Sequence, residues 1–402
     1  MVVERFGVEK FPQTSDSKIF LPPIFLPDPV HHPMRNPEDQ RHLLSQAVLH
    51  VRSQRATSRR ELADVMRLSP TTAGQYADQL IASGHLNENG VEKGPMGRPK
   101  RSLTTNADAG WFAGIEFNAE RIQGVRVDFS GVKAASLTTS LPESVTPKAV
   151  IAELSKMITA LAKGATGTLL GIGVGVPGIV DPVSGIARDY TFIEGWKEVP
   201  LAQTLHDKHA VPVTLDNNLR TIALAERWFG GAAELGDFVI LGPRSGFGIA
   251  IVIGGRVVSG AEHAAGEIGR WPWADSTELH DALSSPAVWR RLTGKTKRAS
   301  LPTDLHTALA GLADQRDDAR TAIINDYAKV LASLHLLLDT HSYFLHGPLT
   351  ALGEAFCSDT TNRIATLVPS LQNKPIRLSR SQLGDDAGAL GAASLAMEKW
   401  AP

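Results

Sequence analysis

The sequence predicts an α/β chain, with an N-terminal winged helix-turn-helix followed by a duplicated α/β body. Three observations predict it. RELADVMRLSPTTAGQYADQLIASGHL (Arg60 to Leu86) spaces its apolar residues and caps as a helix-turn-helix. A basic, Gly/Pro-rich segment follows, GPMGRPKR (Gly94 to Arg101). Beyond residue 110 the order strand, turn, strand occurs twice, at Trp111 to Asp128 and at Phe238 to Val258.

Residues 1–38 hold Pro12, Pro22, Pro23, Pro27, Pro29, Pro33 and Pro37 without helical periodicity, which reads as an extended arm. Pro37 and Glu38 start a helix through Gln46, Val48, Leu49 and Val51. Ser58 suits the N-cap of the next helix, and Glu61 would return a bond to the Ser58 amide in a capping box. Arg67 and Leu68 make a turn. Ser69 and Pro70 then restart the helix as N-cap and N1.

That restart is the expected recognition helix. Its inner face is read as Ala73, Ala77, Leu80 and Ile81, which leaves Ser69, Thr71, Thr72, Gln75, Tyr76 and Gln79 to meet DNA. Gly84 ends it. A wing is expected next, with a turn at Asn89-Gly90 and a tip carrying Arg98 toward a minor groove, beside Lys100 and Arg101 for phosphates. The unit covers residues 39–108. Helices of this size also serve as plain packing units, and the basic wing favours DNA.

Composition agrees. A 402-residue chain with 43% hydrophobic residues suggests two or three domains, and its net charge is −1. Arg41 to Asn106 holds about ten Lys/Arg against five Asp/Glu, so positive charge gathers where DNA contact is expected. The lone Cys357 excludes an internal disulfide and an all-cysteine zinc site, and reads as a small buried hydrophobe. With no leader pattern and no apolar run of membrane length, a cytoplasmic protein without membrane contact is expected.

In the body, FAGIEFN, RIQGVRVDFSG and AASLTTSL read as a meander with turns near Asn118 and Gly131. A helix over 147–163 leads to the buried strand LLGIGVGVPGIVD. FVILGP, a Gly-rich turn at Ser245 to Gly248, and IAIVIGGRVVSG repeat the pattern. GIGVGVPGIVDPVSG, EGWKEVPLAQTL, VPVTLDNNLRTIALAE, GFGIAIVIGGRVVSGAEHAAGEIGR and GDDAGALGAASLA together resemble, in order and spacing, the ROK family of sugar kinases and repressors. The resemblance implies an actin-like, ribonuclease-H-like pair of lobes with a sugar site between them. The first lobe would be 109–220, completed by about 384–402, and the second 221–383.

The resemblance can be followed residue by residue. Asp216 in LDNN stands where the family's NDAN motif places a kinase base, and Asn218 matches its final Asn. Leu215 replaces the leading Asn. Glu267 keeps the Glu of GExGH, whereas Arg270 replaces its His and His280 stands where another sugar-binding Glu is expected. Asp216, Asn218, Glu267, Arg270 and His280 form the expected effector set. The family's zinc-binding cysteine cluster is replaced by WPWADSTELHDALSS, so no metal and no cofactor is expected.

Two turns expected to cradle nucleotide phosphates also differ. Glu116-Phe117-Asn118-Ala119 stands for a DxGGT-like turn, and Leu241 to Gly248, LGPRSGFG, for an LGTGIG-like one. Both argue against kinase activity. The expectation is a DNA-binding regulator, a repressor by family habit, acting as a homodimer or higher oligomer on operator DNA. Its effector would be a sugar or sugar phosphate in the cleft. An ATP-dependent sugar kinase and a regulator with a vestigial cleft are the alternatives. Asp216 also has a plain reading as a helix cap, and Glu267 as a partner of Arg270.

Overall fold

The computed structural model describes residues 37–92, 100–142, 145–273, 277–368 and 375–402. The head comprises α1 (Pro37–Arg52), α2 (Arg59–Met66), α3 (Pro70–Ala82) and an antiparallel pair, β1 (Leu86–Glu92) and β2 (Lys100–Thr105). Ser58 caps α2 by accepting from the Glu61 amide, and Ser69 caps α3 by accepting from the Thr72 amide. Glu61 reaches back one residue further than a capping box requires, taking the amide and hydroxyl of Thr57 at 2.8 and 2.7 Å. Arg67 ends α2 in the left-handed region at φ 53°.

The turn expected at Asn89-Gly90 is instead a β-bulge. Asn89 pairs with Ser102 and Val91 with Arg101, so Gly90 is the extra residue in a strand that runs on to Glu92. The arm over 1–36 and the wing tip with Arg98 lie outside the described residues, as does the side chain of Lys100.

Two five-stranded sheets follow with one topology. In the first lobe β3 (Trp111–Phe117), β4 (Arg121–Asp128) and β5 (Lys133–Ser140) form an antiparallel meander. After α4 (Pro147–Leu161), β6 (Leu169–Val176) lies parallel to β3. A small antiparallel sheet, β7 (Ile179–Asp181), β8 (Ile186–Asp189) and β9 (Lys197–Val199), and α5 (Leu201–His209) intervene before β10 (Val213–Asn217) joins parallel to β6. The long strand expected through Asp181 is thus broken at Pro177-Gly178 into β6 and β7. Helix α6 (Asn218–Phe229) leads to the second lobe.

There β11 (Phe238–Pro243), β12 (Phe247–Ile253) and β13 (Arg256–Val257) repeat the meander. Helices α7 (Leu279–Leu283), α8 (Ser285–Thr293), α9 (Leu305–Ala310) and α10 (Asp318–Leu338) precede β14 (Ser342–Leu345), which is parallel to β11. Past α11 (Gly353–Leu367), β15 (Arg377–Arg380) lies parallel to β14, and α12 (Ala387–Lys399) closes the chain. Each sheet orders its strands, by appearance within the lobe, as 3-2-1-4-5. The repeated grammar read from the sequence is therefore a duplicated fold.

Helix α12 returns to the first lobe and lies almost on its backbone. A Cβ added to Gly173 of β6 would fall 1.7 Å from the Ala392 carbonyl oxygen, and one on Gly391 would fall 1.6 Å from that of Thr221. Only hydrogen at these positions lets α12 sit against both β6 and α6. Cys357 is fully buried, as expected, and burial pushes its thiol up to about 12.

One hydrophobic cluster joins the head to the body. It contains Leu44, Val48, Val51, Tyr76, Leu80 and Leu86 together with Phe112, Phe129, Met397 and Trp400. Arg52 of α1 donates its Nε to the Phe129 carbonyl at 2.8 Å, its guanidinium 4.7 Å from the Phe129 ring centre. Trp400 packs edge-on to Phe129 at 4.9 Å and against His85 at 4.8 Å. Head and first lobe thus share a core.

Candidate functional site

Of the expected DNA-facing residues, Ser69, Thr71, Gln75 and Gln79 are exposed on α3, and Thr72 is half-buried. The Ser69 and Thr72 hydroxyls lie 2.8 Å apart and are held by the cap, while Gln79 accepts from Gln40 of α1 at 3.2 Å. Tyr76 is a correction. It is 2% exposed and packs in the shared core, where it takes most of the inward place expected of the half-buried Ile81. A helix offers an arc of about 100° or more to its core, and Tyr76 shares that arc with Ala73, Ala77 and Leu80. Arg101 on β2 is exposed and pairs with Glu88 at 3.2 Å.

Arg59, at the start of α2, was not singled out from the sequence. It bridges Asp78 of α3 at 2.7 Å and Glu88 of β1 at 2.8 Å, tying the angle of α3 to the β-pair. These carboxylates hold its guanidinium in the charged form, and Asp78 and Glu88 are both lowered in return.

In the cleft, β10 ends at Asp216 and Asn217. Asn217 is the cap of α6, accepting from the Leu219 amide at 2.9 Å, so the plain reading of Asp216 as that cap fails. Asp216 instead accepts from the Asn217 amide at 2.7 Å and pairs with Arg220 Nε at 2.5 Å. Arg220 is 2% exposed and also donates to the His263 carbonyl at 2.9 Å, joining α6 to the second-lobe loop. Its place four residues after Asp216 was the available signal. Leu215 is buried in the first-lobe core and Asn218 is half-buried at the start of α6.

Glu267 is half-buried on that loop. Burial raises its carboxyl above the usual carboxylate range, with Arg270 and Arg220 opposing, and Arg270 itself is exposed. His280, on α7, accepts the Phe247 amide at its Nδ1 at 2.7 Å. That bond leaves the neutral ring's proton on Nε2. Its ring fills the space beside Gly246 and Gly269, where an added Cβ would come within 2.9 and 2.1 Å of it.

The two turns expected to hold phosphates are bolted together. Glu116, 3% exposed at the end of β3, accepts a hydrogen bond from Arg244 of the turn between β11 and β12. Gly388, in the first turn of α12, lies against the Glu116 carboxylate. His346, at the end of β14, is near them, and burial with Arg244 lowers it to about 4. Asp385 pairs bidentately with Arg121 at 2.9 and 3.0 Å, and Asp386 takes Lys133, Gln123 and Ser136 at 2.6 to 2.7 Å. These bonds fasten the start of α12 to the first lobe, and His346 Nε2, 3.3 Å from the Gly384 carbonyl, ties the turn before it to the second. The sequence carried one hint, the base Arg244 in the second turn.

A model of the ROK family matches residues 112–399. The xylose repressor of Caldicellulosiruptor bescii is 30% identical over 215 residues, 53% of this chain and 54% of that protein. The chain thus spans about half the length of that relative. The xylose repressor of Bacillus subtilis is 24% identical over 364 residues, 85% of this chain and 91% of that protein. The crystal structure of a ROK family transcriptional regulator, a homologue of the Escherichia coli MLC protein, superposes with a TM-score of 0.75 at 18% identity, covering 89% of this chain and 96% of its own. A Streptomyces griseus ROK glucokinase bound to glucose and AMPPNP gives 0.61 at 19% identity, covering 71% and 99%. Regulator and kinase share the fold of the body, and the family model spans most of the chain: this chain belongs to the ROK family.

Proposed function

We propose that this chain is a DNA-binding transcriptional regulator, a repressor in sense, whose inter-lobe cleft takes a sugar or sugar-derived effector. The observation that carries the reading is the path of α12. Its first turn lies against Glu116 in the cleft, and Trp400, just past its end, lies in the core shared with the head. A ligand that shifts the lobes changes the packing of α12 and with it the seat of α3. Relatives named xylose repressor supply the sugar and the operator by analogy. The regulator structure covers 89% of the chain, more than residues 112–399 contain, in keeping with a head that belongs to the working protein.

The same geometry argues against phosphoryl transfer. A kinase needs a carboxylate to take the hydroxyl proton and turns open to phosphate. Here Asp216 is paired with the buried Arg220, and Arg244 of the second turn is held by Glu116 of the first. On α3, Thr71, Thr72, Gln75 and Gln79 face bases and phosphates, while Arg98 enters the minor groove and Lys100 and Arg101 contact phosphates. Asp216, Asn218, Glu267, Arg270 and His280 face the effector, with Arg270 suited to a carboxylate or phosphate substituent. The protein acts in the cytoplasm as a homodimer on paired half-sites. Among the described residues no helix is long and apolar enough to cross a membrane.

The test is a gel-shift titration on duplexes selected by the protein itself, across sugars, sugar acids and sugar phosphates, with a coupled ATPase assay on the same panel. One ligand shifts operator affinity by about fivefold or more, and none is phosphorylated. Sugar-dependent ATP turnover abolished by Asp216→Asn would establish the kinase instead. Selective DNA binding that no ligand alters would make the cleft vestigial.

A further inference from the structure

We propose that His335, Asp339 and His341 form a binding site for a divalent transition metal of the Zn2+ class, at the end of the second lobe away from the cleft. His335 lies in the last turn of α10. Asp339 is the C-cap, in the left-handed region at φ 51°, and folds the chain back so that His341 returns beside His335 just before β14. Each of the three side chains brings a donor atom within 4.8 Å of those of the other two. The two imidazole rings meet at 4.8 Å between centres, and His341 Nε2 is 3.8 Å from the Asp339 carboxylate.

Three features favour a metal over a polar turn alone. His335 Nδ1 donates to the Thr340 carbonyl at 2.6 Å, which fixes the proton there and leaves the Nε2 lone pair for a ligand. A histidine oriented through its second nitrogen by a carbonyl is the usual outer arrangement at metal sites. The unsatisfied carbonyls at the end of a 21-residue helix add negative potential that favours a cation. Two imidazoles and one carboxylate match the donors of Zn2+ sites that keep an open position.

Bonds of about 2.0–2.1 Å put tetrahedral donors roughly 3.4 Å apart, so the present spacing must contract. The Asp339 side chain is 93% exposed and can rotate inward toward the buried, fixed His335. The site is at the start of β14, whereas His346 at the strand's other end borders the cleft. A bound ion would pin the end of α10 to β14 without touching the effector residues. This cluster also lies far in sequence from the cysteine run whose loss removed the family's own zinc site.

The test uses the full chain, treated with chelator and desalted, without DNA or sugar. Zn2+ is titrated by calorimetry with parallel thermal melts, and Mg2+ serves as control. One equivalent of Zn2+ binds per chain and raises Tm, while Mg2+ does neither. Asp339→Asn, at an exposed side chain, keeps the metal-free Tm, and it and His341→Gln each weaken Zn2+ binding by roughly tenfold or more. Absence of one-equivalent binding, or equal affinity in both variants, would overturn the assignment.

Discussion

Asp216 shows how a retained residue can change its work. The resemblance places a kinase base there, but the structure spends its charge on Arg220, whose guanidinium is 2% exposed. Removing one member of such a pair strands the other, at a cost of about 3 kcal/mol, whereas removing both is much milder. Asp216→Ala should therefore lower stability in urea denaturation by roughly that amount, and Asp216→Ala with Arg220→Met should recover part of the loss. His346 supplies a pH test. Its unfolded value near 6.5 falls to about 4 in the fold, so between those limits the unfolded chain binds the extra proton. Stability is complete above about pH 6.5 and declines as pH falls toward 4; His50, also lowered to about 4, acts in the same sense. The urea midpoint should drop over that window, and His346→Gln should flatten the drop. At this scale the sequence showed which residues were kept or exchanged. It did not show that Glu116 and Arg244 meet, because that contact joins positions 128 residues apart.

At the scale of elements, local chemistry was most readable where it was closed within a few residues. Ser58, Ser69 and Pro70 set the starts of α2 and α3, and three short runs separated by turns near Asn118 and Gly131 marked β3 to β5. Tyr76 was misread because an amphipathic polar tip leaves either face open to it, and the choice was made by partners on α1 and the body. The role of α12 was hidden for the same reason: GDDAGALGAASLA announces a helix with small residues, not what it lies upon. Gly391→Val would drive a side chain into the Thr221 carbonyl and push α12 off α6. Overpacking of this kind costs about 1–3 kcal/mol. The variant should melt lower and, where it stays folded, bind operator without responding to effector. Trp400→Ala removes the ring that contacts Phe129 and His85, and should weaken operator affinity and effector response together in gel-shift titrations.

Across the whole molecule, two sheets of order 3-2-1-4-5 enclose the cleft, and a head joined by a common core sits on the first of them. The duplication was legible because each half repeats its strand grammar in order. The union of head and body was not, since its residues come from four distant stretches of chain and hydrophobic periodicity names a buried face without naming its neighbour. That union gives the proposed coupling a physical route, because a head seated in the first-lobe core moves with it. Coupling between two binding sites is reciprocal. The most direct test is to measure operator affinity with and without the effector found in the panel, and effector affinity with and without operator, on the full chain at one salt concentration. The proposed function predicts the same factor, about fivefold or more, in both directions. An effector that binds in the cleft while leaving operator affinity unchanged would contradict it.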